Sequence, residues 1–367
     1  MKLEYYRQLD GVRAVAALMV MFLHFFGAVQ PTDPFFRLLD KYASFGQTGV
    51  SIFFVLSGFL ITRILMQTKG NARYFSDFYI RRALRIFPLY YLFLIIFYYI
   101  VPVLQHTPLT PFSNQVYFWV YLQNFAMTFD WKTYGPWHFW SLAVEEHFYF
   151  MWPLLVYFLS KKGIKIAVAA IMVIAFVCRL VMIKSGHEAF YLTFNRMDEL
   201  AIGALLAVWE SEGKLAGKAK LFIISFFLVL IPTIVIWVKF TGNALDIIQV
   251  IKYNLLSTSC FCLVGYAIAL KQDVGVNKLL STRFFSFSGK ISYGLYVYHP
   301  LSFTLIVSMF PPGTSIPLLF VACFGITYLI AFISYQFFES KFIAMKKYFE
   351  YNRPLTKTVS NTRQGAV

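Results

Sequence analysis

An arginine and a histidine share the first apolar run of the chain. Arg13 closes the short sequence LDGVR, and His24 follows eleven residues later. On an α-helix the two side chains would be only about 20° from the same face and about 16 Å apart along the axis. A neutral histidine can take a proton from a hydroxyl near neutral pH. The pair therefore suggests acid–base chemistry, although a snorkelling arginine and a hydrogen-bonded packing histidine fit the same spacing.

Two more arginines open the third apolar run. Arg82 and Arg85 are three residues apart, so they share one face of a helix. Guanidinium groups bind phosphate with two parallel hydrogen bonds, which makes this pair a candidate phosphate site. The spacing alone fits equally well the basic residues that anchor a membrane helix on its cytoplasmic side.

Carboxylates and a second histidine occur in later apolar runs. Glu145 and Glu146 lie near the start of the fourth run, His299 lies within the ninth, and Glu339 ends the tenth. Adjacent carboxylates on a helix point about 100° apart, so at least one should face the bundle. A charge near the bilayer centre costs at least ~2.5–3.5 kcal/mol, which makes such residues functional candidates. A lone buried histidine is more often structural, so His299 fits a packing role as well as a functional one.

These residues leave two chemistries open. One is group transfer from a phosphate-bearing cytoplasmic donor to a hydroxyl on the outer side. The other is a transporter or flippase with a proton relay of histidine and glutamate. Transporters commonly contain internal repeats, and the sequence shows no convincing repeat.

The composition places these groups in a membrane. Of the 367 residues, 59% are hydrophobic and 14% are charged, whereas soluble chains are about 45–50% apolar and about 25% charged. The net charge of +16 comes from basic residues in short loops between apolar runs, which is a topology signal and argues against nucleic-acid binding. The four cysteines lie within apolar runs and fit buried packing, so neither a metal site nor a disulfide framework is expected.

Ten apolar runs predict an all-α integral membrane protein with about ten transmembrane helices. They lie near 9–28, 45–66, 84–104, 139–159, 164–183, 195–209, 221–238, 251–270, 285–307 and 316–338. The aromatic stretch 112–129 is interrupted by polar residues. If it does not cross, the loops rich in lysine and arginine all fall on one side. We therefore expect both termini in the cytoplasm, and 112–129 as a re-entrant or interfacial segment on the outer side.

Several short motifs, each different from the others, follow one another along more than 300 residues of the chain. They are Arg13 with His24, GVSIFFVLSGF at 49–59, Arg82 and Arg85 followed by IFP, SLAVE at 141–145 followed by FY at 148–149, RMD at 196–198, SYGLY at 292–296 with His299, and SY at 334–335 with Glu339. Together they resemble the motifs of acyltransferase family 3, membrane enzymes that O-acylate carbohydrates and related acceptors.

The resemblance implies an acyl-CoA-dependent O-acyltransferase of the bacterial cytoplasmic (inner) membrane. Acetyl-CoA is the expected donor and co-substrate, no metal is expected, and the acceptor is a hydroxyl of a saccharide or lipid-linked glycan at the outer face. Catalysis would involve His24, Arg13 and Glu145, with His24 acting as general base or carrying the acyl group itself. Glu145 would orient His24 or balance its charge.

The polyanionic CoA would be held by Arg82, Arg85 and Arg63. Secondary site candidates are Asp10, Ser57, Glu146, Arg196, Asp198, Tyr293 and His299. We expect a membrane acyltransferase domain over 1–340 and a basic, partly disordered cytoplasmic tail over 341–367. Membrane lipids surround the protein, and the sequence leaves homo-oligomerisation open. A non-catalytic accessory subunit of polysaccharide assembly is a further alternative to an enzyme.

Overall fold

The computed structural model describes residues 5–239 and 247–349. Within these ranges the secondary structure is helical and contains no strand, as the sequence predicts. The α-helices are α1 Arg7–Val29, α2 Pro34–Ala43, α3 Thr48–Thr68, α4 Tyr74–Ile95, α5 Val101–Leu104, α6 Phe112–Trp119, α7 Gln123–Thr128, α8 Trp140–Phe158, α9 Lys161–Lys184, α10 Thr193–Ser211, α11 Ala219–Lys239, α12 Ile247–Ala269, α13 Gly275–Leu280, α14 Arg283–Lys290, α15 Ser292–Met309, α16 Ile316–Ser334 and α17 Ser340–Ala344. Shorter helical turns of other pitch are Ser44–Gln47, Ile96–Ile100, Trp137–Phe139, Tyr335–Glu339 and Met345–Phe349.

Each of the ten predicted apolar runs contains a long helix. In the part of the chain that the structure describes, seven helical segments are long and apolar enough to cross a membrane: Arg7–Val29, Pro34–Thr68, Tyr74–Leu104, Lys161–Lys184, Ala219–Lys239, Ile248–Ala269 and Ile316–Phe349. The protein is therefore a multi-pass membrane protein. Helices α8, α10 and α15 are more polar, and they carry the candidate residues of the fourth, sixth and ninth runs. The count of ten spans and the side of the termini stay predictions.

One predicted run, 285–307, is wrong as a single helix. The chain forms α14 and α15 with a break at Ile291, where the φ and ψ angles are −93° and 5°. The break allows α14 to lie against the backbone of α1. A Cβ added to Gly289 would lie 2.0 Å from the carbonyl oxygen of Asp10, so no larger residue fits at this contact.

Helices α3 and α10 pack closely because each presents a glycine to the other's backbone. A Cβ on Gly58 would lie 1.8 Å from the carbonyl oxygen of Leu200, and one on Gly203 would lie 2.0 Å from that of Val55. Small residues at such contacts let membrane helices approach until their backbones touch. This contact fixes the helix that carries Ser57 against the helix that carries Arg196 and Asp198.

The ambiguous stretch 112–129 forms two short helices, α6 and α7, instead of one long helix. Two of its polar side chains, Gln123 and Asn124, are buried and bonded to residues outside the segment. Gln123 Nε2 donates to the carbonyl of Phe139 at 2.7 Å, and Asn124 Nδ2 donates to the Thr193 hydroxyl at 2.8 Å. Irregular backbone at membrane depth requires such protein partners. Its position as a re-entrant or interfacial segment on the outer side stays a prediction.

The first residues of the expected tail pack against α4. A guanidinium nitrogen of Arg81 donates to the carbonyls of Lys346 at 3.0 Å and Phe349 at 3.1 Å. Residues 350–367 lie outside the described residues. The division into a domain over 1–340 and a tail over 341–367 therefore stays a prediction.

Candidate functional site

Three adjoining cavities follow the length of α1. The basic cavity is lined by Tyr5, Asp10, Arg13, Arg85, Lys290, Tyr293, Glu339 and Lys346, among others. The central cavity is lined by Arg13, Val50, Ser57, Arg82, Arg85, Glu145, Tyr293 and Tyr296, among others. The histidine cavity is lined by His24, Gln47, Val50, Met127, Trp137, His138, Tyr191 and Tyr296, among others.

Shared side chains join each cavity to the next. Arg13, Arg85 and Tyr293 line both the basic and the central cavity. Val50 and Tyr296 line both the central and the histidine cavity. The three spaces therefore form a row from a cluster of basic side chains to His24. Because α1 is continuous from Arg7 to Val29, Arg13 and His24 are about 16 Å apart along its axis, and the row of cavities covers this distance.

The basic and central cavities contain more cationic than anionic side chains. Their lining includes Arg13, Arg82, Arg85, Lys290 and Lys346 against Asp10, Glu145 and Glu339. Arg13 is paired, since its guanidinium lies 3.0 Å from the carboxylate of Asp10, which also accepts a hydrogen bond from Tyr5. Such an excess of positive charge in a half-buried space favours a polyanionic ligand.

Arg82 has a buried guanidinium nitrogen that is not satisfied. Its guanidinium lies 3.6 Å from the ring centroid of Tyr149, and its buried Nε has no hydrogen-bond acceptor among the residues that the structure describes. Among residues 5–239 and 247–349, no carboxylate lies within ion-pair distance of Arg82 or Arg85. A buried guanidinium nitrogen without an acceptor is costly, and a bound anion would satisfy it.

Arg63 has a different environment from the other two predicted CoA-binding arginines. Its Nε lies 2.7 Å from the carboxylate of Glu210, and its guanidinium stacks over the ring of Tyr6 at 4.7 Å. Arg63 does not line the basic, central or histidine cavity.

The two adjacent glutamates of α8 point to different surroundings, as a helix requires. Glu145 lines the central cavity, where its Oε1 accepts a hydrogen bond from the Ser57 hydroxyl at 2.9 Å. Glu146 does not line the three cavities, and its buried Oε1 has no hydrogen-bond donor within residues 5–239 and 247–349. The next residue, His147, is bonded through Nδ1 to the Thr193 hydroxyl at 2.7 Å.

His24 is paired with His299 from α15. Nδ1 of His24 lies 2.7 Å from Nε2 of His299, and the two rings stack with an angle of 17°. The hydrogen-bond partner of His24 is thus His299, and the expectation that Glu145 orients His24 or balances its charge stays a prediction. Glu145 is instead bonded to Ser57, because α8 presents it to the central cavity.

The hydrogen-bond network assigns the tautomers of this pair. Nδ1 of His299 lies 3.0 Å from the carbonyl oxygen of Leu295, which can only accept, so Nδ1 carries the proton. Nε2 of neutral His299 is then an acceptor, and Nδ1 of His24 donates to it. Nε2 of His24 is left with a free lone pair. His24 is therefore prepared to accept a proton in the histidine cavity.

Sequence reasoning missed His138 and Tyr296. The ring of His138 lies 5.5 Å from that of His299, and its Nε2 lies 3.2 Å from the carbonyl oxygen of Val297. Tyr296 donates its hydroxyl proton to the His138 carbonyl at 2.6 Å. Both residues line the histidine cavity. Tyr296 lies in the SYGLY motif, but no sequence pattern indicates that His138, which precedes α8, lies beside two helices distant in the chain.

Arg196 and Asp198 belong to buried ion pairs away from the three cavities. Arg179 lies 2.6 Å from the carboxylate of Asp198, and Arg196 lies 3.1 Å from that of Glu199. All four side chains are almost completely buried, where an unpaired charge would be strongly destabilising. These pairs tie α10 to α9 and, through the bond from Arg196 to Ser51, to α3.

The remaining secondary candidates lie close to the cavities. Tyr293 stands between the basic and central cavities and donates its hydroxyl proton to the carbonyl of Ile86 at 2.9 Å. Ser57 lines the central cavity and Asp10 lines the basic cavity. Throughout the described part of the chain, no group of three or more histidine, cysteine, aspartate or glutamate residues could hold a metal ion.

Comparisons with known proteins agree with the motifs. The acyltransferase domain family matches residues 6–336. The chain is 30% identical over 367 residues to "Putative peptidoglycan O-acetyltransferase YrhL" of Bacillus subtilis (strain 168), covering 92% of this chain and 54% of that protein. It is 26% identical over 363 residues to "Peptidoglycan O-acetyltransferase OatA" of Listeria monocytogenes, covering 92% of this chain and 56% of that protein.

A third relative is a "Putative O-acetyltransferase" of Staphylococcus aureus (strain COL), 25% identical over 362 residues, with 93% of this chain and 58% of that protein covered. The chain thus spans little more than half the length of these relatives. No solved structure matches the chain significantly.

Proposed function

Because the chain belongs to acyltransferase family 3, we propose that it is a membrane O-acetyltransferase that uses acetyl-CoA and acts on a saccharide hydroxyl. The names of two relatives favour peptidoglycan as the acceptor. The observation that carries the proposal is the row of cavities along α1, which leads from Arg82 and Arg85, without carboxylate partners in the described part of the chain, to a histidine with a free lone pair.

The basic and central cavities suit the binding of acetyl-CoA, the proposed acetyl donor. The phosphates of CoA would bind Arg82 and Arg85, with Arg13, Lys290 and Lys346 adding positive charge. The flexible pantetheine arm would then extend through the central cavity and carry the thioester toward His24. The distance of about 16 Å is roughly half of a ~30 Å hydrocarbon core, so a cytoplasmic donor could meet an acceptor from the outer face.

His24 would act at the thioester. In the direct route, its Nε2 takes the proton of the acceptor hydroxyl while the hydroxyl oxygen attacks the thioester carbonyl carbon. The C–S bond then breaks, and the imidazolium returns the proton to the sulfur of the departing CoA. His299 accepts the Nδ1 hydrogen bond throughout and so stabilises the imidazolium.

A two-step route uses the same lone pair. Nε2 of His24 attacks the thioester carbon, the C–S bond breaks, CoA leaves as the thiolate, and the acetyl group rests on the imidazolium, whose Nδ1–H still donates to His299. The acceptor oxygen then attacks the acetyl carbon, the C–N bond breaks with its electrons returning to Nε2, and the hydroxyl proton passes to the CoA thiolate. In both routes Glu145 and Ser57 would position the thioester arm, because both line the central cavity.

The test is direct transfer by the full chain in lipid nanodiscs. Acetyl-CoA labelled in the acetyl group is supplied with peptidoglycan glycan fragments, and alkali-labile label on the saccharide is measured. We expect ester-linked label that requires both substrates. Transport of either substrate without ester formation would instead favour the transporter alternative and contradict the proposal.

A further inference from the structure

A fourth cavity, the aromatic cavity, adjoins the histidine cavity. It is lined by Met127, Asp130, Trp131, Thr133, Trp137 and Tyr191, together with one alanine. Met127, Trp137 and Tyr191 also line the histidine cavity. The aromatic cavity therefore shares a wall with the space that contains His24, at the end of the row opposite the basic cavity.

Large aromatic side chains are exposed in this cavity. Trp131 is 41% exposed and Trp137 is 48% exposed. One side of Trp131 packs against Tyr117 at a centroid distance of 5.3 Å. Exposed indole rings held by neighbours offer flat apolar surfaces at a low entropic cost, and the C–H faces of sugar rings stack on such surfaces.

Polar groups accompany the aromatic rings. Asp130 has a φ angle of 51°, which aspartate tolerates better than most residues, and the next N–H, of Trp131, donates to the carbonyl of Ala126 at 2.9 Å. The turn thereby holds Asp130 at the cavity wall.

We propose that the aromatic cavity is the acceptor subsite and binds a neutral saccharide, with Trp131 and Trp137 stacking on the sugar and Asp130 accepting hydrogen bonds from its hydroxyls. This inference rests on the proposed function, since it assigns the acceptor to the space next to His24. A carboxylate at the wall favours hydroxyl donors and disfavours acidic sugars. The shared wall allows one hydroxyl of the bound sugar to reach the histidine cavity.

The test uses Trp131→Ala and Asp130→Asn, because these residues line the aromatic cavity and not the histidine cavity. Tyr134→Ala is the control, since Tyr134 is 53% exposed in the same loop and lines none of the four cavities. Steady-state transfer is measured in nanodiscs with varied acceptor and varied acetyl-CoA. We expect the acceptor KM to rise about tenfold in each test variant, the KM for acetyl-CoA to stay within twofold, and the control to match wild type.

A second measurement separates this inference from the proposed function. Binding of a neutral N-acetylglucosamine oligosaccharide is followed by calorimetry in the His24→Ala background, where no transfer is expected. We expect binding that weakens about tenfold with Trp131→Ala. If the oligosaccharide does not bind, the proposed subsite is wrong. It is also wrong if neither substitution changes the binding of the oligosaccharide or the acceptor KM. Saccharide binding without any transfer by the wild-type protein would instead contradict the proposed function alone.

Discussion

Nδ1 of His24 and Nε2 of His299 lie 2.7 Å apart, although the two residues are 275 positions apart in the chain. This contact joins α1 to α15 and fixes which nitrogen of His24 can accept a proton.

We predict that His24→Ala abolishes acetyl transfer while acetyl-CoA binding and expression stay close to wild type. A general base contributes about 10²–10⁴-fold in rate, so a loss of at least a hundredfold in kcat is expected. Transfer and acetyl-CoA affinity are measured on the same nanodisc preparation. His106→Ala, at an exposed histidine outside the cavities, is the control. A loss below tenfold would identify His24 as a packing residue.

His299 should act through His24. His299→Ala removes the acceptor of the Nδ1 hydrogen bond, and bonds to a charged group are worth about 1.5–3 kcal/mol, so kcat should fall roughly 10- to 100-fold. The KM for acetyl-CoA should not change, because His299 does not line the basic or central cavity. An equal change in kcat for His106→Ala, or a raised donor KM, contradicts this role.

Arg82 and Arg85 should bind the donor. Alanine at either position should weaken acetyl-CoA binding about tenfold or more, because charge-assisted hydrogen bonds to phosphate are lost. Lysine should restore only part of the affinity, since it lacks the planar fork of arginine. Arg283→Ala, at an exposed position that starts α14, is the matched control. Unchanged donor affinity in folded alanine variants would show that the two arginines only anchor the helix.

Label retention should separate the two chemical routes. Wild-type protein is incubated with acetyl-labelled acetyl-CoA without acceptor, quenched, and analysed by peptide mass spectrometry. The covalent route predicts an acetyl group on His24 that disappears when the saccharide is added. The general-base route predicts no label on His24 at any time. Label on another residue contradicts both routes.

The topology can be tested with single cysteines. Thr107 and Ser185 are exposed in the loops predicted outside, and Lys162 and Lys218 are exposed on the side predicted inside. A membrane-impermeant thiol reagent added to intact cells should label cysteines at the first two positions and not those at the last two. Labelling at Lys162 would mean that the stretch 112–129 crosses the membrane, and the expectation of ten spans would be wrong.

The sequence alone determined the class of fold and the family. Hydrophobic runs of about twenty residues have few soluble alternatives, so the all-helical membrane architecture follows from composition and periodicity. The motifs around Arg13, Arg82 and Glu145 are short and local, and the family could therefore be inferred from their order. The stripe that joins Arg13 to His24 also follows from helix geometry, because both residues lie in one continuous helix.

Only the tertiary structure decided which polar side chains contact one another. The sequence indicated a role for Glu145 beside His24 but no contact, whereas the structure gives His299 as the hydrogen-bond partner of His24, because the rotation of α8 and α15 about their axes depends on packing contacts across the whole bundle. The same packing brings His138 to this pair and pairs Arg63 with Glu210. A local pattern reports the face of one helix, but not the neighbour that this face meets. The neighbour is fixed by backbone contacts between helices, such as those at Gly58 and Gly203.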